Sequence, residues 1–399
     1  MKKKIRKISV PGDKSITHRA IIIGSLARGK TRIINPLVCD DTMSTVSAMR
    51  SLGITVLKEE KSLTVLGHGI NGLKKPSYII DCGNSATTMR LLMGILSGQE
   101  FDSYLTGDES LMKRPMDRVI IPLSQMGALI TREGNAYHIS GRKLHSINYT
   151  MPVSSAQVKS AIMLADLFAE RNSVINDPGK SRNHTELMLD YFGKTLKGKK
   201  IIIPGDISSA AYHIAETLIS PGAEIIIKNV GINETRTGFI DVIRSMGAQV
   251  QIKNKKSFAN EPVADIHVRN SALYGTSIKN PVIPRVIDEI PLLAVLAAFA
   301  EGKTEIRDSS ELRLKESDRI NSVIQGLKSI GVNVSERADG MDITGTMPED
   351  MQAAEIDSYA DHRIAMSFLI LTHIIPGLKV KNKECVAVSY PTFFKDFHI

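Results

Sequence analysis

Tryptophan is absent, cysteine occurs three times, and aromatic side chains make up only 5% of the chain. So few flat rings leave the stacking platforms on which nucleic-acid bases are usually held poorly supplied. Cys39, Cys82 and Cys385 are too scattered for a disulfide framework, and none belongs to a Cys-x-x-Cys pair that would signal zinc or redox chemistry. All three are expected to be reduced and structural. Long apolar runs are lacking as well: Ile290–Ala300 falls far short of the roughly 20 residues that span a bilayer. The basic start, Met1–Lys7, leads into alternation (Ile5, Ile8, Val10) and not into an apolar segment. A first strand is expected there, with no signal peptide and a cytoplasmic location.

What is present is ordinary in bulk and unusual in its distribution. The 399 residues are 42% hydrophobic and 23% charged, which suits a soluble chain of two to three domains, each with its own core. The net charge is +9 and the isoelectric point about 9.3. Beyond the first seven residues, Lys and Arg stand singly inside short motifs rich in Gly, Ser and Asp. That spacing favours clamps on small anions over a groove for a polymer, so neither nucleic acid nor membrane is expected as a partner.

Two structural rhythms alternate along the chain. One is an apolar helix, a Gly or polar break, then a strand: Ile21–Leu26, Met93–Leu96, Ala161–Ala169, Ile214–Ile219, Leu292–Ala300 and Met366–Ile374 open its six copies. The other is an amphipathic helix closing on Gly before a β-rich run, at Gly53, Gly127, Gly247 and Gly331, with a weaker copy at Phe192-Gly193. Two helices and about four short strands per repeat, six times over, predict an α/β protein of two domains with three repeats each. Pro11-Gly12-Asp13-Lys14-Ser15 is partly echoed by Pro204-Gly205-Asp206-Ile207-Ser208, and the crossings between domains are expected at these turns.

Candidate chemistry gathers where helices are expected to begin. Asp13-Lys14-Ser15 with His18-Arg19, and Gly83-Asn84-Ser85-Ala86-Thr87-Thr88-Met89-Arg90, combine a capping residue with cations and free N–H groups, an arrangement suited to anions. Gly107-Asp108 with Lys113-Arg114-Pro115, Ser154-Ser155-Ala156-Gln157, and Ser181-Arg182 add hydroxyls, an amide and guanidinium groups. Asp288-Glu289, Lys315-Glu316-Ser317-Asp318-Arg319 and Asp361-His362-Arg363 supply carboxylates, a histidine and more cations. Taken singly, each reads equally as a capped helix or a solvated charged face. Repeated over both halves, they predict an electropositive pocket for phosphorylated substrates.

In order and spacing these motifs resemble the 3-phosphoshikimate 1-carboxyvinyltransferase (5-enolpyruvylshikimate-3-phosphate synthase) family of enolpyruvyl transferases, over essentially the whole chain. The resemblance implies a two-domain α/β fold, each domain built of three βαββαβ units around buried helices. Residues 12–204 would form one domain and 1–11 plus 205–399 the other, with the active site in the cleft between them. It implies that shikimate 3-phosphate is held by Lys14, Ser15, Arg19, Ser155, Gln157, Ser181, Arg182, Asp288 and Lys315. Phosphoenolpyruvate would meet Lys14, Asn84, Ala86, Arg90, Arg114, Gln157, Arg319 and Arg363, with His362 close by. Glu316 would be the general acid and Asp288 or Lys14 the base, in an addition–elimination that needs neither cofactor nor metal. The chain is expected to act as a monomer. Two departures stand out: Ala86 replaces the family's commonest Gly, which implies glyphosate tolerance, and Val388 replaces a Lys that many members carry before Ser389-Tyr390-Pro391. The UDP-N-acetylglucosamine enolpyruvyl transferases are a poorer match, because they usually carry Lys-Asn at Lys14-Ser15 and a Cys, sometimes an Asp, in the loop 107–115, where this chain has no Cys although Asp108 is present.

Overall fold

The structure, a computed structural model, describes residues 5–399. Residues 1–4 of the segment assigned above to the second domain lie outside the described residues. The chain forms two compact units. The first comprises Gly12–Ile203 together with Phe258–Glu261. The second comprises the chain up to Pro11 with Pro204–Ser257 and Pro262–Ile399.

The first unit contains two four-stranded sheets of the same plan. Lys200–Ile202, Arg28–Ile34, Ser62–His68 and Thr55–Lys58 make one; Ile80–Asp81, Ser103–Thr106, Ala136–Ser140 and Leu129–Glu133 make the other. In each, the outer short strand runs parallel to its neighbour and the other pairings are antiparallel. The third repeat has only a two-stranded parallel sheet, Asn148–Thr150 with Val174–Asn176. After its second helix, His184–Phe192, the chain turns at Gly193 (φ 74°) and Lys200–Ile202 joins the first sheet instead of forming a hairpin. The second unit repeats this arrangement. Arg6–Ser9 pairs parallel with Glu224–Gly231 in one four-stranded sheet, Ser277–Ile278 with Lys303–Ile306 in the next, and Glu355–Asp357 with Lys379–Lys381 in a two-stranded third.

Three nearly engulfed helices form the centre of each unit: Lys14–Leu26, Ala86–Ser97 and Ala156–Ala165 in the first, Ile207–Ile219, Ile290–Ala297 and His362–Leu369 in the second. Their apolar residues are not confined to one stripe, as expected of helices covered on all sides. All eight residues of Ile290–Ala297 are buried. This helix ends three residues before the apolar run Leu292–Ala300 does, because Ala298 and Ala300 continue the core through a turn. Gly94 shows how closely two of these helices approach: any Cβ there would collide with the Ala161 carbonyl oxygen. The outer helices carry the amphipathic pattern, and each core is sealed by β-branched and aliphatic residues from the inner sheet faces.

Candidate functional site

In the first unit the N-termini of the central helices are capped by side chains. Asp13 accepts from the Ile16 N–H at 2.9 Å, Ser85 from Thr88 N–H at 3.2 Å, and Ser155 from Val158 N–H at 3.5 Å. Cross-bonds then tie these ends together. Arg19 donates to Thr185 Oγ1 at 2.7 Å, Ser160 Oγ at 2.7 Å and the Ser15 carbonyl at 2.9 Å. Arg90 donates to Gln157 Oε1 at 2.5 Å and to the Pro115 carbonyl, while the Gln157 amide donates to Thr87 Oγ1 at 2.8 Å. Arg114 reaches Asn84 Oδ1 at 2.5 Å, and Asn84 in turn donates to Asp108. Lys14 bonds Asp41 at 2.8 Å. Ala86 opens its helix and is 8% exposed.

Ser181 and Arg182 follow in the loop ahead of the His184–Phe192 helix. The Ser181 hydroxyl and N–H both donate to Asp177, at 2.6 and 2.7 Å, and the buried Lys159 ammonium bridges Asp177 and the Ser181 carbonyl. Burial holds the Arg19 pKa down at about 10, against the attraction of Glu186 and Asp13. The guanidinium remains protonated, held directly by neutral oxygens and within the field of Glu186 and Asp13. Asp108 caps the short helix Glu109–Lys113 through the Leu111 N–H at 2.7 Å, a structural task.

The second unit gathers its helix ends differently. Its caps are acidic: Asp206 accepts from Ser208 N–H, Asp361 from Arg363 N–H, and Glu289 stands at the start of Ile290–Ala297. The buried Arg319 donates to Asp361 Oδ2 at 2.8 Å and Glu316 Oε2 at 2.6 Å, with Asp288 at 3.8 Å. Arg363 lies 4.0 Å from Glu289. Behind it, the buried Arg236 donates to Ser208 Oγ at 2.6 Å and pairs with Asp206 at 3.4 Å, and Ser208 donates to Glu289. Although burial alone would lower them, Asp361 and Glu316 raise the Arg319 pKa, and Tyr212 and Asp288 raise that of Arg363. Burial lowers the Lys315 ammonium below the usual lysine range, against the attraction of Asp288. His362 is buried beside Asp361.

The residues expected from the motifs thus fall into two sets. Lys14, Ser15, Arg19, Asn84, Ala86, Arg90, Arg114, Ser155, Gln157, Ser181 and Arg182 belong to the first unit; Asp288, Lys315, Glu316, Arg319, His362 and Arg363 belong to the second. Several partners went unnoticed in the sequence. Asp41, Asp177 and Arg236 lie 27, 4 and about 30 residues from the groups they bond, outside any motif. Val388 is half-buried at the end of the turn Lys383–Val388, whose Lys383 lies 5.7 Å over the Phe394 ring. Cys39, Cys82 and Cys385 are free thiols. Among the described residues no group of three His, Cys, Asp or Glu is placed to hold a metal, and no helix is long and apolar enough to cross a membrane.

Solved structures place this architecture among the enolpyruvyl transferases. NikO of Streptomyces tendae, an enolpyruvyl transferase, has the same fold at a TM-score of 0.79 with 14% identity, over 99% of this chain and 94% of that one. EPSP synthase from Acinetobacter baumannii matches at a TM-score of 0.87 with 40% identity, over 98% of this chain and 94% of the other. The 3-phosphoshikimate 1-carboxyvinyltransferase of Thermoanaerobacter sp. (strain X514) is 50% identical over 98% of this chain and 96% of its own length, and that of Geobacter metallireducens 46% over 97% and 95%. Residues 2–397 match the EPSP synthase (3-phosphoshikimate 1-carboxyvinyltransferase) family, and the chain belongs to it.

Proposed function

We propose that the chain transfers the carboxyvinyl group of phosphoenolpyruvate to the 5-hydroxyl of shikimate 3-phosphate and releases phosphate, a step toward chorismate and the aromatic amino acids. The observation that carries this reading is that the Arg19, Arg90 and Arg114 guanidinium groups bond hydroxyl, amide and carbonyl oxygens of residues at or near helix starts. Such a cluster favours anions through charge and through oriented N–H groups together. Shikimate 3-phosphate is assigned to Lys14, Ser15, Arg19, Ser155, Gln157, Ser181, Arg182, Asp288 and Lys315. Phosphoenolpyruvate is assigned to Lys14, Asn84, Ala86, Arg90, Arg114, Gln157, Arg319 and Arg363.

In the addition step Glu316 gives a proton to the methylene carbon while the 5-oxygen bonds to the adjacent carbon. Asp288 or Lys14 takes the hydroxyl proton. In the elimination step the carbon–oxygen bond to phosphate breaks, the new methyl group returns a proton, and the double bond reforms. Arg319 and Arg363 stabilise charge on the leaving phosphate, and His362 stands beside them. Glu316 donates to carbon from a carboxyl that Arg319 holds in place at 2.6 Å. The protein is read as a cytoplasmic monomer that works without a cofactor, and its Ala86 as a source of glyphosate tolerance.

The test is phosphate release from phosphoenolpyruvate that depends on shikimate 3-phosphate, repeated with Glu316→Gln. Loss of a positioned general acid lowers kcat by about 100- to 10,000-fold. Full activity in the variant removes Glu316 from the chemistry, and phosphate release indifferent to shikimate 3-phosphate rejects the reaction.

A further inference from the structure

Four side chains make a buried hydrogen-bond chain that the reaction itself does not use. His18 Nδ1 lies 2.7 Å from Thr45 Oγ1, which lies 2.6 Å from Thr88 Oγ1, and Thr88 Oγ1 donates to Ser85 Oγ at 2.8 Å. All four residues are no more than 1% exposed. A hydroxyl has one proton to give. Thr88 gives its proton to Ser85, so Thr45 gives its own to Thr88, and the proton on Thr45 oxygen's other side comes from His18 Nδ1. The remaining nitrogen, Nε2, is then a bare acceptor, and it is buried without a protein partner among the described residues. The opposite tautomer would bury an unpaired N–H, which proteins tolerate less readily than an unpaired acceptor. Burial also drives the imidazole pKa down to about 3, helped by Lys14 and Arg19 and opposed by Asp41, so the ring is neutral at working pH.

We propose that His18, Thr45 and Thr88 are positioning residues for ligand selection. Their one-directional chain, headed by the Nδ1–H tautomer of His18, locks the Ser85 cap and with it the backbone of Asn84 and Ala86. It joins the helix carrying Lys14 and Arg19 to the nest assigned to phosphoenolpyruvate, and in that assignment it rests on the proposed function.

Two-bond nitrogen–proton correlation spectra of the histidine-labelled protein, with His18 assigned from His18→Gln, read the tautomer directly and independently of any activity. Nδ1–H is expected; Nε2–H on His18 overturns the proposal. Thr45→Val breaks the chain while keeping the shape of the side chain. It is expected to shift the His18 proton toward Nε2 and to raise KM for phosphoenolpyruvate about three- to tenfold, with kcat nearly unchanged. Thr45→Ser, which keeps the hydroxyl, restores both. Equal KM values in wild type and Thr45→Val reject the positioning role; a protein with the expected tautomer but no turnover rejects the reaction instead.

Discussion

The two units share one scaffold and an aspartate cap on the first central helix, Asp13 and Asp206, but dress the remaining helix ends differently. In the first, the caps include Ser85 and Ser155, and Arg19, Arg90 and Arg114 donate to hydroxyl, amide and carbonyl oxygens. In the second, the caps are Asp206, Glu289 and Asp361, and Arg319 and Arg363 face carboxylates. Burial pushes all three guanidinium pKa values down; for Arg19 it prevails over Glu186 and Asp13, whereas Asp361 and Glu316 overrule it for Arg319 and Tyr212 and Asp288 for Arg363. A neutral oxygen satisfies the geometry of a guanidinium without cancelling its charge, so the first unit keeps its positive field for an incoming anion. A carboxylate cancels the charge and leaves proton-transfer groups in place. The same fold therefore sets guanidinium groups among neutral oxygens in one unit and among carboxylates in the other.

The largest expected effect breaks the second half of this contrast. Asp361→Asn leaves the buried Arg319 without the carboxylate that grips it at 2.8 Å. Removing one partner of a buried pair costs about 3–5 kcal/mol, measurable as a fall in the urea midpoint and as faster amide exchange in the helix His362–Leu369. The effect depends on pH. Burial alone would raise the Asp361 pKa, but Arg319 overrules it and holds the folded value below the ordinary carboxylate range. A lowered folded pKa contributes stability in full above the unfolded value of about 3.9. That contribution fades as pH falls through the folded value. Wild type and Asp361→Asn are therefore expected to differ most near neutrality and to converge in acid; a constant difference down to acid pH removes the charge pairing as its cause.

Next in size is Arg90→Gln in the first unit. Its stability cost is expected to be smaller, about 1–3 kcal/mol, because the groups left behind are a carbonyl and an amide and not a buried charge. Its KM for phosphoenolpyruvate should rise far more than its stability falls. A stability loss as large as that of Asp361→Asn erases the distinction between the two units.

Much of this is legible in the sequence alone. Asp13, Ser85, Ser155 and Asp361 stand immediately ahead of apolar runs, and short-range capping puts them where such residues go. The alternation of buried and amphipathic helices follows from hydrophobic periodicity alone. The missing hairpin of each third repeat was not readable. Phe192-Gly193 turns like the other helix ends, and only pairing with Arg28–Ile34, far back in the chain, shows where Lys200–Ile202 goes. Arg236 was invisible for the same reason: its partners Asp206, Ser208 and Glu289 are assembled by packing and not by spacing.

The smallest effect concerns a single methyl group. Ala86 is the first residue of its helix, directly after the Ser85 cap, and its neighbours Asn84 and Thr87 bond Arg114 and Gln157. Ala86→Gly is expected to lower stability by only about 0.5–1 kcal/mol, the usual cost of a glycine in a helix. One methyl in a snug pocket discriminates between ligands by about 10- to 200-fold. The glyphosate inhibition constant should therefore fall at least about tenfold relative to KM for phosphoenolpyruvate, with kcat little changed. That outcome makes the Ala86 methyl a determinant of which anion is accepted, separately from the proton given by Glu316. A kcat that falls with the inhibition constant unmoved reverses the assignment, because the methyl would then shape the chemical step and leave ligand choice to other residues.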